Sequence, residues 1–357
     1  MGTGGFAVPS FEAVKGDSRV DIIAIVTKPV VNEGSNKQLA NPVLAWAQAN
    51  SLRIFSPQSI NTDGSILWLQ QESADLLFVC DYGQILSRVA LATAKYGGIN
   101  LHGSLLPRHR GAAPVQWSIL RGDITTGVSV IHMTPKLDGG PILSQATTTI
   151  KVGQTAFDLE QELSLSGVEC TLEAIETIFR QESPEMESSI AASQDPSLVT
   201  PAPRLSKADG QIDCRYDVTL IDRQFRGLQP WPGLYGMMID DSNRATRIII
   251  GSATPIRLRP DAEAIYESSI GQLLWDERAL NAIGAEQWAL MESKEFRSSQ
   301  LLLAVCKNGF LKIDRLQPAG KRMLTSGEFL AGYRKNSSLH LQFPTVTPCH
   351  PLLDKLI

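Results

Sequence analysis

The chain has 357 residues, of which 43% are hydrophobic and 20% are charged, and its formal net charge is −4 at pH 7. This length suits two domains, the composition is that of a soluble globular protein, and no apolar run reaches the ~18 residues that a membrane helix needs. A weakly acidic chain has no overall attraction to nucleic acid, so a nucleic-acid partner would require a local basic surface.

The cysteine spacing and the N-terminal residues indicate in which cellular compartment the protein is expected. Five widely spaced cysteines without a CxxC pair argue against a disulfide framework and against a zinc site, so we expect no metal. The N-terminus lacks the basic segment and the apolar core of a secretory signal. These features favour a reducing cytoplasm and no contact with a membrane.

The first residues, MGTGGFA, match a G-x-G-x-x-A dinucleotide fingerprint at Gly2, Gly4 and Ala7. That fingerprint requires a preceding strand and an acidic residue about 20 positions later. Asp21 is suitably placed, but no strand precedes Gly2. We therefore interpret the run as a strand-to-helix turn whose first strand is missing, and we hypothesise that the true start of the chain lies upstream of Met1.

Residues 1–190 alternate strand-length apolar runs with helical patterns, which predicts βαβ units and a doubly wound, mostly parallel sheet. The clearest helix covers 155–181, because Thr155 and Asp158 stand at capping-box spacing and apolar residues follow on one face. The predicted strands cover 21–26, 75–80 and 127–133, and further helices are predicted at about 41–50 and 62–73.

The pattern changes after the long helix. Residues 184–203 are rich in Ser, Pro and Glu and are interpreted as a linker. Beyond it, short β-like runs separated by Gly and Asp predict a small antiparallel barrel or sandwich, of which we adopt the small OB-like barrel. We therefore expect a first domain over 1–183, a second over 204–335 with a helical insertion near 276–299, and a poorly ordered or loosely packed tail over 336–357.

Asn100 and His102 stand two residues apart where a predicted strand ends, in the run GINLHG, and Asp138 follows in the turn PKLDGG. Alternation places Asn100 and His102 on one face, and ligands gather at the carboxyl ends of strands in an open parallel sheet. An asparagine amide can donate to an oxyanion, a histidine can carry a proton near neutral pH, and an aspartate can orient the imidazole or hold a water. These are the parts of an acyl-transfer site. Two alternatives stay open: the histidine is a hydrogen-bonded structural residue, and Asp-Gly-Gly is only turn chemistry.

The run SLLPRHRGAAPVQW follows directly, and Pro114 in it falls near the start of a helix. Backbone groups of residues 104–107 could hydrogen-bond a flat heterocycle. Arg108 and Arg110 flank His109; they could be solvated, pair with carboxylates or bind an anionic ligand, and the sequence does not rank these alternatives.

The region from GINLHGSLLPRHRGAAP to MTPKLDGGPIL strongly resembles the methionyl-tRNA formyltransferases, and RLSKADGQID, RGLQPWPG and LQPAGKRM resemble the C-terminal barrel of the same family. The resemblance covers about residues 1–335. It implies a Rossmann-like formyltransferase catalytic domain followed by a barrel that helps hold the initiator tRNA.

The resemblance also implies roles for individual residues. The formyl-transfer triad falls on Asn100, His102 and Asp138. Contacts to the donor 10-formyltetrahydrofolate fall on the loop after His102 and on the strand end in VCDYGQIL, where Asp81 stands at a position at which the family usually has Ala. The implied donor-binding residues are Ser104, Leu105, Leu106, Pro107, Tyr82 and Gly83.

Three features depart from the family. The first strand is absent, Cys214 stands where a Trp is common, and the early loop 27–42 has fewer Arg and Lys residues than the family's, with a net charge of only +1 over residues 28–40. The last departure weakens the electrostatic argument for tRNA, since phosphate contacts supply much of such affinity. The candidate tRNA contacts are Lys37, Arg204, Lys207 and Lys321.

The expected function is transfer of a formyl group from 10-formyltetrahydrofolate to the amine of methionine on initiator tRNA, by a monomer with no tightly bound cofactor. An alternative is a formyltransferase for an amino sugar or another small amine, which the early loop favours and the C-terminal motifs oppose. A third is a folate- or RNA-binding protein without activity.

Overall fold

The computed structural model describes residues 1–29, 41–180, 191–259, 263–275, 301–333, 338–342, 350 and 352–356. The chain divides into two compact units. The first contains Met1–Ser118 and Asp123–Arg204, and the second contains Ile119–Gly122 and Leu205–Ile357. No helix in the described ranges is long and apolar enough to cross a membrane.

The N-terminal part of the chain interleaves strands with helices, as the alternation of apolar runs predicts. The helices and strands are α1 (Val8–Gly16), β1 (Ile25–Val26), α2 (Pro42–Ala49), β2 (Ile54–Phe55), α3 (Asp63–Glu72), β3 (Leu77–Cys80), α4 (Arg88–Leu91), β4 (Gly98–His102), β5 (Arg110–Gly111), α5 (Pro114–Arg121), β6 (Thr125–His132), β7 (Ile142–Thr149), α6 (Ala156–Phe179) and β8 (Pro201–Ala202).

The sheet of this unit has a parallel part and an antiparallel extension. β1 pairs in parallel with β2, and β3 with β4, while β6 and β7 continue the sheet antiparallel in the order β3-β4-β6-β7. Leu77 and Val79 of β3 pack into a core with residues of α3 and α4. Phe78, which alternation turns to the other face, contacts Phe11 of α1 with ring centroids 5.2 Å apart. Helices therefore cover both faces, and the predicted doubly wound α/β fold is confirmed.

The long helix α6 begins at the capping box that the sequence predicts. The Thr155 side chain accepts a hydrogen bond from the Asp158 amide (3.2 Å), and the Asp158 carboxylate accepts one from the Thr155 amide (3.1 Å). Two of the amides that a helix start leaves unpaired are thereby satisfied. The buried residues of α6 lie along one stripe that packs on β6, β7 and α1.

The strand predicted over 21–26 is shorter in the structure, because only Ile25 and Val26 pair with a neighbouring strand. The adjacent position in the sheet is filled by residues 1–3. Gly2 donates to the Val26 carbonyl (3.0 Å), and the Met1 ammonium donates to the Phe78 carbonyl (2.5 Å). A cavity of about 450 Å³ lies beside Met1, between residues 19–26 and 72–78. The strand expected before Gly2 stays a prediction.

The second unit is built around an antiparallel sheet. Its elements are α7 (Val218–Gly227), β9 (Leu234–Asp240), β10 (Ala245–Arg257), α8 (Glu263–Tyr266), β11 (Leu273–Leu274), β12 (Leu303–Cys306), β13 (Gly309–Pro318), β14 (Leu324–Thr325), α9 (Ser326–Tyr333) and β15 (Leu339–Gln342). The strands run in the order β11-β12-β13-β10-β9-β15, with β14 paired to β13. A bridge between Gln272 and His340 links the two ends of this order, so the sheet nearly closes, and the predicted barrel is confirmed.

The prediction of a poorly ordered or loosely packed tail over 336–357 is wrong for its described residues. Leu339 and Leu341 are buried in β15, which completes the barrel beside β9. The ring Nε2 of His350 lies 2.6 Å from the Gln211 carbonyl, and Leu352 and Leu353 are buried. Apolar side chains that can enter a core outweigh the entropy that favours a free terminus. The helical insertion predicted near 276–299 lies outside the described residues.

Candidate active site

A cavity of about 540 Å³ opens where β4 ends, in the first unit. Its walls include all three predicted catalytic residues, Asn100, His102 and Asp138, together with the backbone of Gly111. The cavity lies at the carboxyl end of a parallel strand, where open α/β sheets place their ligands. Its volume is within the range of about 300–1,000 Å³ for small-molecule sites.

His102 is held in one orientation. It is only 6% exposed, and its Nε2 lies 2.9 Å from the backbone carbonyl oxygen of His109. A carbonyl only accepts, so Nε2 carries the hydrogen. The other nitrogen, Nδ1, lies 3.9 Å from Oδ2 of Asp138. Nδ1 is therefore the nitrogen that can take up or release a proton at the cavity.

Asp138 reaches the site from the turn between β6 and β7. Its Oδ2 accepts a hydrogen bond from the Gly111 amide (2.9 Å), and its backbone is left-handed, with φ +46°. Gly140 closes the same turn against β6, and a Cβ at that position would lie 1.7 Å from the His132 carbonyl oxygen. Any side chain at 140 would therefore displace the turn that carries Asp138.

Asn100 is half-buried in β4, between Val79 of β3 and Ile131 of β6. Its amide makes no side-chain hydrogen bond within the part of the chain that the structure describes. Because the strand fixes its backbone on both sides, the side-chain amide is held at the cavity wall, where it can donate a hydrogen bond.

Of the six residues predicted to bind the formyl donor, one lines the cavity and five do not. Gly83 lines the cavity, and the other five lie outside its walls. Tyr82 is buried, and the Ser104 hydroxyl donates to the Arg108 carbonyl (2.6 Å). The Leu106 amide donates to the Ser129 hydroxyl (3.0 Å). The loop 104–107 is thus fixed beneath the site by its own hydrogen bonds.

The structure resolves the alternatives for the two loop arginines. Arg108 forms an ion pair with Asp123 (2.5 Å), and Arg110 binds the side-chain oxygen of Gln194. Both are structural contacts within the first unit. Among the predicted tRNA contacts, Arg204 lines the cavity, and Lys207 and Lys321 are exposed in the second unit; Lys37 lies outside the described residues.

Asp81 is a cavity residue to which the sequence assigned no role. Its backbone is left-handed (φ +50°), and the residue as a whole is exposed on the cavity wall, while its carboxyl group packs closely against Gly4. Burial raises the pKa of Asp81 to about 6, against the opposing effect of Lys28. Burial and the charge of Asp81 also raise the pKa of Glu160 on the same cavity.

Replacing Asp81 by Asn should stabilise the protein above pH 6 and not below pH 4. Between about pH 4 and pH 6 the carboxyl group of Asp81 is protonated in the folded state and ionised in the unfolded state, because folding raises its pKa. The free energy of unfolding of the wild-type protein therefore falls as the pH rises through this range. Because Asp81 is exposed, solvent screens its charge, and we expect a rise in Tm of only about 2–4 °C at pH 8. The surface variant Asp75→Asn is the control. Equal Tm changes for Asp81→Asn at pH 4 and pH 8 would contradict the burial argument.

Comparisons with known proteins agree with this fold. The family model for formyl transferases matches residues 2–175, and the model for the C-terminal domain of formyl transferases matches residues 204–334. The methionyl-tRNA formyltransferase of Rhodopirellula baltica is 42% identical over 96% of this chain and 96% of its own length. That of Citrifermentans bemidjiense is 32% identical over 94% and 92%.

Solved structures show the same fold at low sequence identity. An N-formyltransferase from Helicobacter canadensis, solved with folinic acid and dTDP-3-aminofucose, superposes with a TM-score of 0.54 at 16% identity, over 87% of this chain and 96% of that one. HypX from Aquifex aeolicus, solved with tetrahydrofolic acid, has a TM-score of 0.52 at 14% identity, over 81% and 44%.

The two matched domains and the polar cavity at the end of β4 define a formyltransferase with a C-terminal barrel domain. Within that class, sequence identity to the two relatives over nearly the whole chain shows the family. The chain belongs to the methionyl-tRNA formyltransferase family.

Proposed function

We propose that Asn100, His102 and Asp138 transfer a formyl group from 10-formyltetrahydrofolate to the α-amine of methionine on initiator tRNA, for translation initiation in the cytoplasm. The observation that carries the proposal is that these three groups meet on one cavity, with His102 held by the His109 carbonyl and turned toward Asp138. Family membership supports formylation of methionyl-tRNA as the reaction.

In the proposed reaction the amine nitrogen forms a bond to the formyl carbon, and the bond from that carbon to the folate nitrogen breaks. The Asn100 amide and the protonated Nδ1 of His102 donate hydrogen bonds to the oxyanion of the tetrahedral intermediate. Nδ1 then gives its proton to the leaving folate nitrogen and takes up the proton that the amine nitrogen loses, directly or through a water bound to Asp138, so that the imidazolium is restored. Asp138 stabilises the imidazolium while it carries that proton.

The cavity walls fit a folate donor in their chemistry. Amide, imidazole and carboxyl groups converge on one side, and the apolar side chain of Phe6 and the backbone of Gly83 form other parts of the wall. We propose that the donor binds here and that Arg204, beside it, contacts the acceptor arm of the tRNA together with Lys207, Lys321 and Lys37. No tightly bound cofactor is required for this chemistry.

The test is formyl transfer by the wild-type chain to two acceptors. With formyl-labelled 10-formyltetrahydrofolate, we expect the label to appear on methionyl-tRNA and not on a nucleotide-linked amino sugar. Formylation of the amino sugar alone would support the small-amine alternative. Binding of folate without transfer to either acceptor would contradict an enzymatic role. Unacylated tRNA is the control, because it lacks the amine.

A further inference from the structure

The chain that follows α6 lies against the candidate active site, and its described part, residues 191–203, is named the strap. Ala192 exchanges backbone hydrogen bonds with Ile142 (2.8 and 2.9 Å). At the other end, β8 pairs in parallel with β5, and the Pro203 carbonyl accepts a hydrogen bond from Trp117 (2.8 Å). The strap is therefore fixed to the first unit at both ends, although its composition is that of a linker.

Gln194 is the strap residue that joins two loops of the site. Its Oε1 accepts hydrogen bonds from Nε (3.0 Å) and Nη2 (2.6 Å) of Arg110. Its Nε2 donates to the carbonyl oxygens of Asp138 (2.9 Å) and Gly140 (2.6 Å). One amide group thus ties the loop after β4 to the turn that carries Asp138.

Hydrogen bonds at both its backbone and its side chain fix the position of Asp138. Aspartate enters the left-handed region more readily than most residues, so these hydrogen bonds decide where its carboxylate lies. Gln194 binds the Asp138 carbonyl, and the Gly111 amide binds the Asp138 carboxylate. The strap in turn holds the backbone of Gly111 in place, and it lies so close that a Cβ at position 111 would be 2.4 Å from the Ala202 carbonyl oxygen.

We propose that Gln194 is a positioning residue for formyl transfer, which acts by fixing the Asp138 turn so that Oδ2 faces Nδ1 of His102. This inference rests on the proposed function and assigns a catalytic contribution to a segment outside the matched catalytic domain, which ends at residue 175. Gln194 touches no reacting atom. Its effect is expected to reach the reaction only through Asp138.

A double-variant experiment tests whether Gln194 acts through Asp138. Gln194→Met keeps the length of the side chain and removes every hydrogen bond of its amide. Because a displacement of about 1 Å in a catalytic group can cost about 10²-fold, we expect kcat to fall about 10–100-fold. In an Asp138→Asn background the same change should lower kcat by less than about threefold, since residues that act as one unit are not additive. The KM for the folate donor should stay unchanged.

Two further variants separate positioning from general stability. Gln194→Glu retains the contact with Arg110 but loses the N–H groups that bind the carbonyls of Asp138 and Gly140, so its kcat should fall as far as that of Gln194→Met. If the Met variant does not fold, the Glu variant replaces it in the double-variant experiment. Asp195→Ala removes the two hydrogen bonds that its carboxylate accepts from the amide and hydroxyl of Ser197 within the strap, and it should leave kcat unchanged. An equal loss in both Asp138 backgrounds, or full activity of Gln194→Glu, would overturn the inference. A wild-type chain that transfers no formyl group would instead refute the proposed function.

Discussion

His102→Ala should lower kcat for formyl transfer by about 10²–10⁴-fold, the contribution of a positioned acid–base group. The buried imidazole is held at Nε2 by the His109 carbonyl and offers Nδ1 to the cavity and to Asp138. Alanine removes both the proton carrier and one donor to the oxyanion. Because Asn100 and the donor-binding walls remain, the affinity for the folate donor should change little.

The control for this variant addresses folding. Alanine at 102 leaves the His109 carbonyl without its partner, at a cost of about 1–3 kcal/mol, so Tm is measured alongside kcat. His340→Ala, at an exposed position in the barrel, should retain wild-type kcat. A folded His102→Ala variant with more than a tenth of the wild-type turnover would defeat the role assigned to His102.

Asn100→Ala should lower kcat by about 10²–10³-fold, the usual effect of removing one oxyanion donor. The backbone of Asn100 is fixed between β3 and β6, so the side-chain amide starts from the cavity wall when charge develops on the formyl oxygen. Asn100→Asp has nearly the same shape but places negative charge where the donor stood. It should be impaired at least as strongly.

The comparison of the two Asn100 variants separates shape from charge. If Asn100 only filled space, the aspartate variant would be nearly as active as wild type and the alanine variant would lose stability. The measurement is kcat and KM for the donor in each variant, with Tm to confirm folding. Wild-type kcat in Asn100→Asp would contradict an oxyanion role.

Local patterns were sufficient to predict the centre of the site. Two-residue alternation in β4 placed Asn100 and His102 on one face, and the capping box at Thr155 marked the start of α6. Both features depend on residues close together in the sequence. The position of Asp138 required the family resemblance, because nothing in its own turn indicates which distant strand it faces.

Contacts between distant residues were not predicted. The strap was interpreted as a linker because its residues have no periodicity of their own, yet Gln194 binds Arg110 across 84 positions of sequence. Strand β15 was missed for the same reason: its four residues pair with β9, and only that partner makes them a strand. Pairing energy of this kind is a property of the assembled fold.

We propose that Asn100, His102 and Asp138 form the site at which the formyl group moves to methionine. The most direct test of this proposal is a single-turnover measurement with formyl-labelled 10-formyltetrahydrofolate and methionyl-tRNA, which reports the chemical step alone. We predict that wild type places the label on the methionine amine and that His102→Ala does so about 10²–10⁴ times more slowly with unchanged donor binding. Transfer by the folded variant within tenfold of the wild-type rate would contradict the claim.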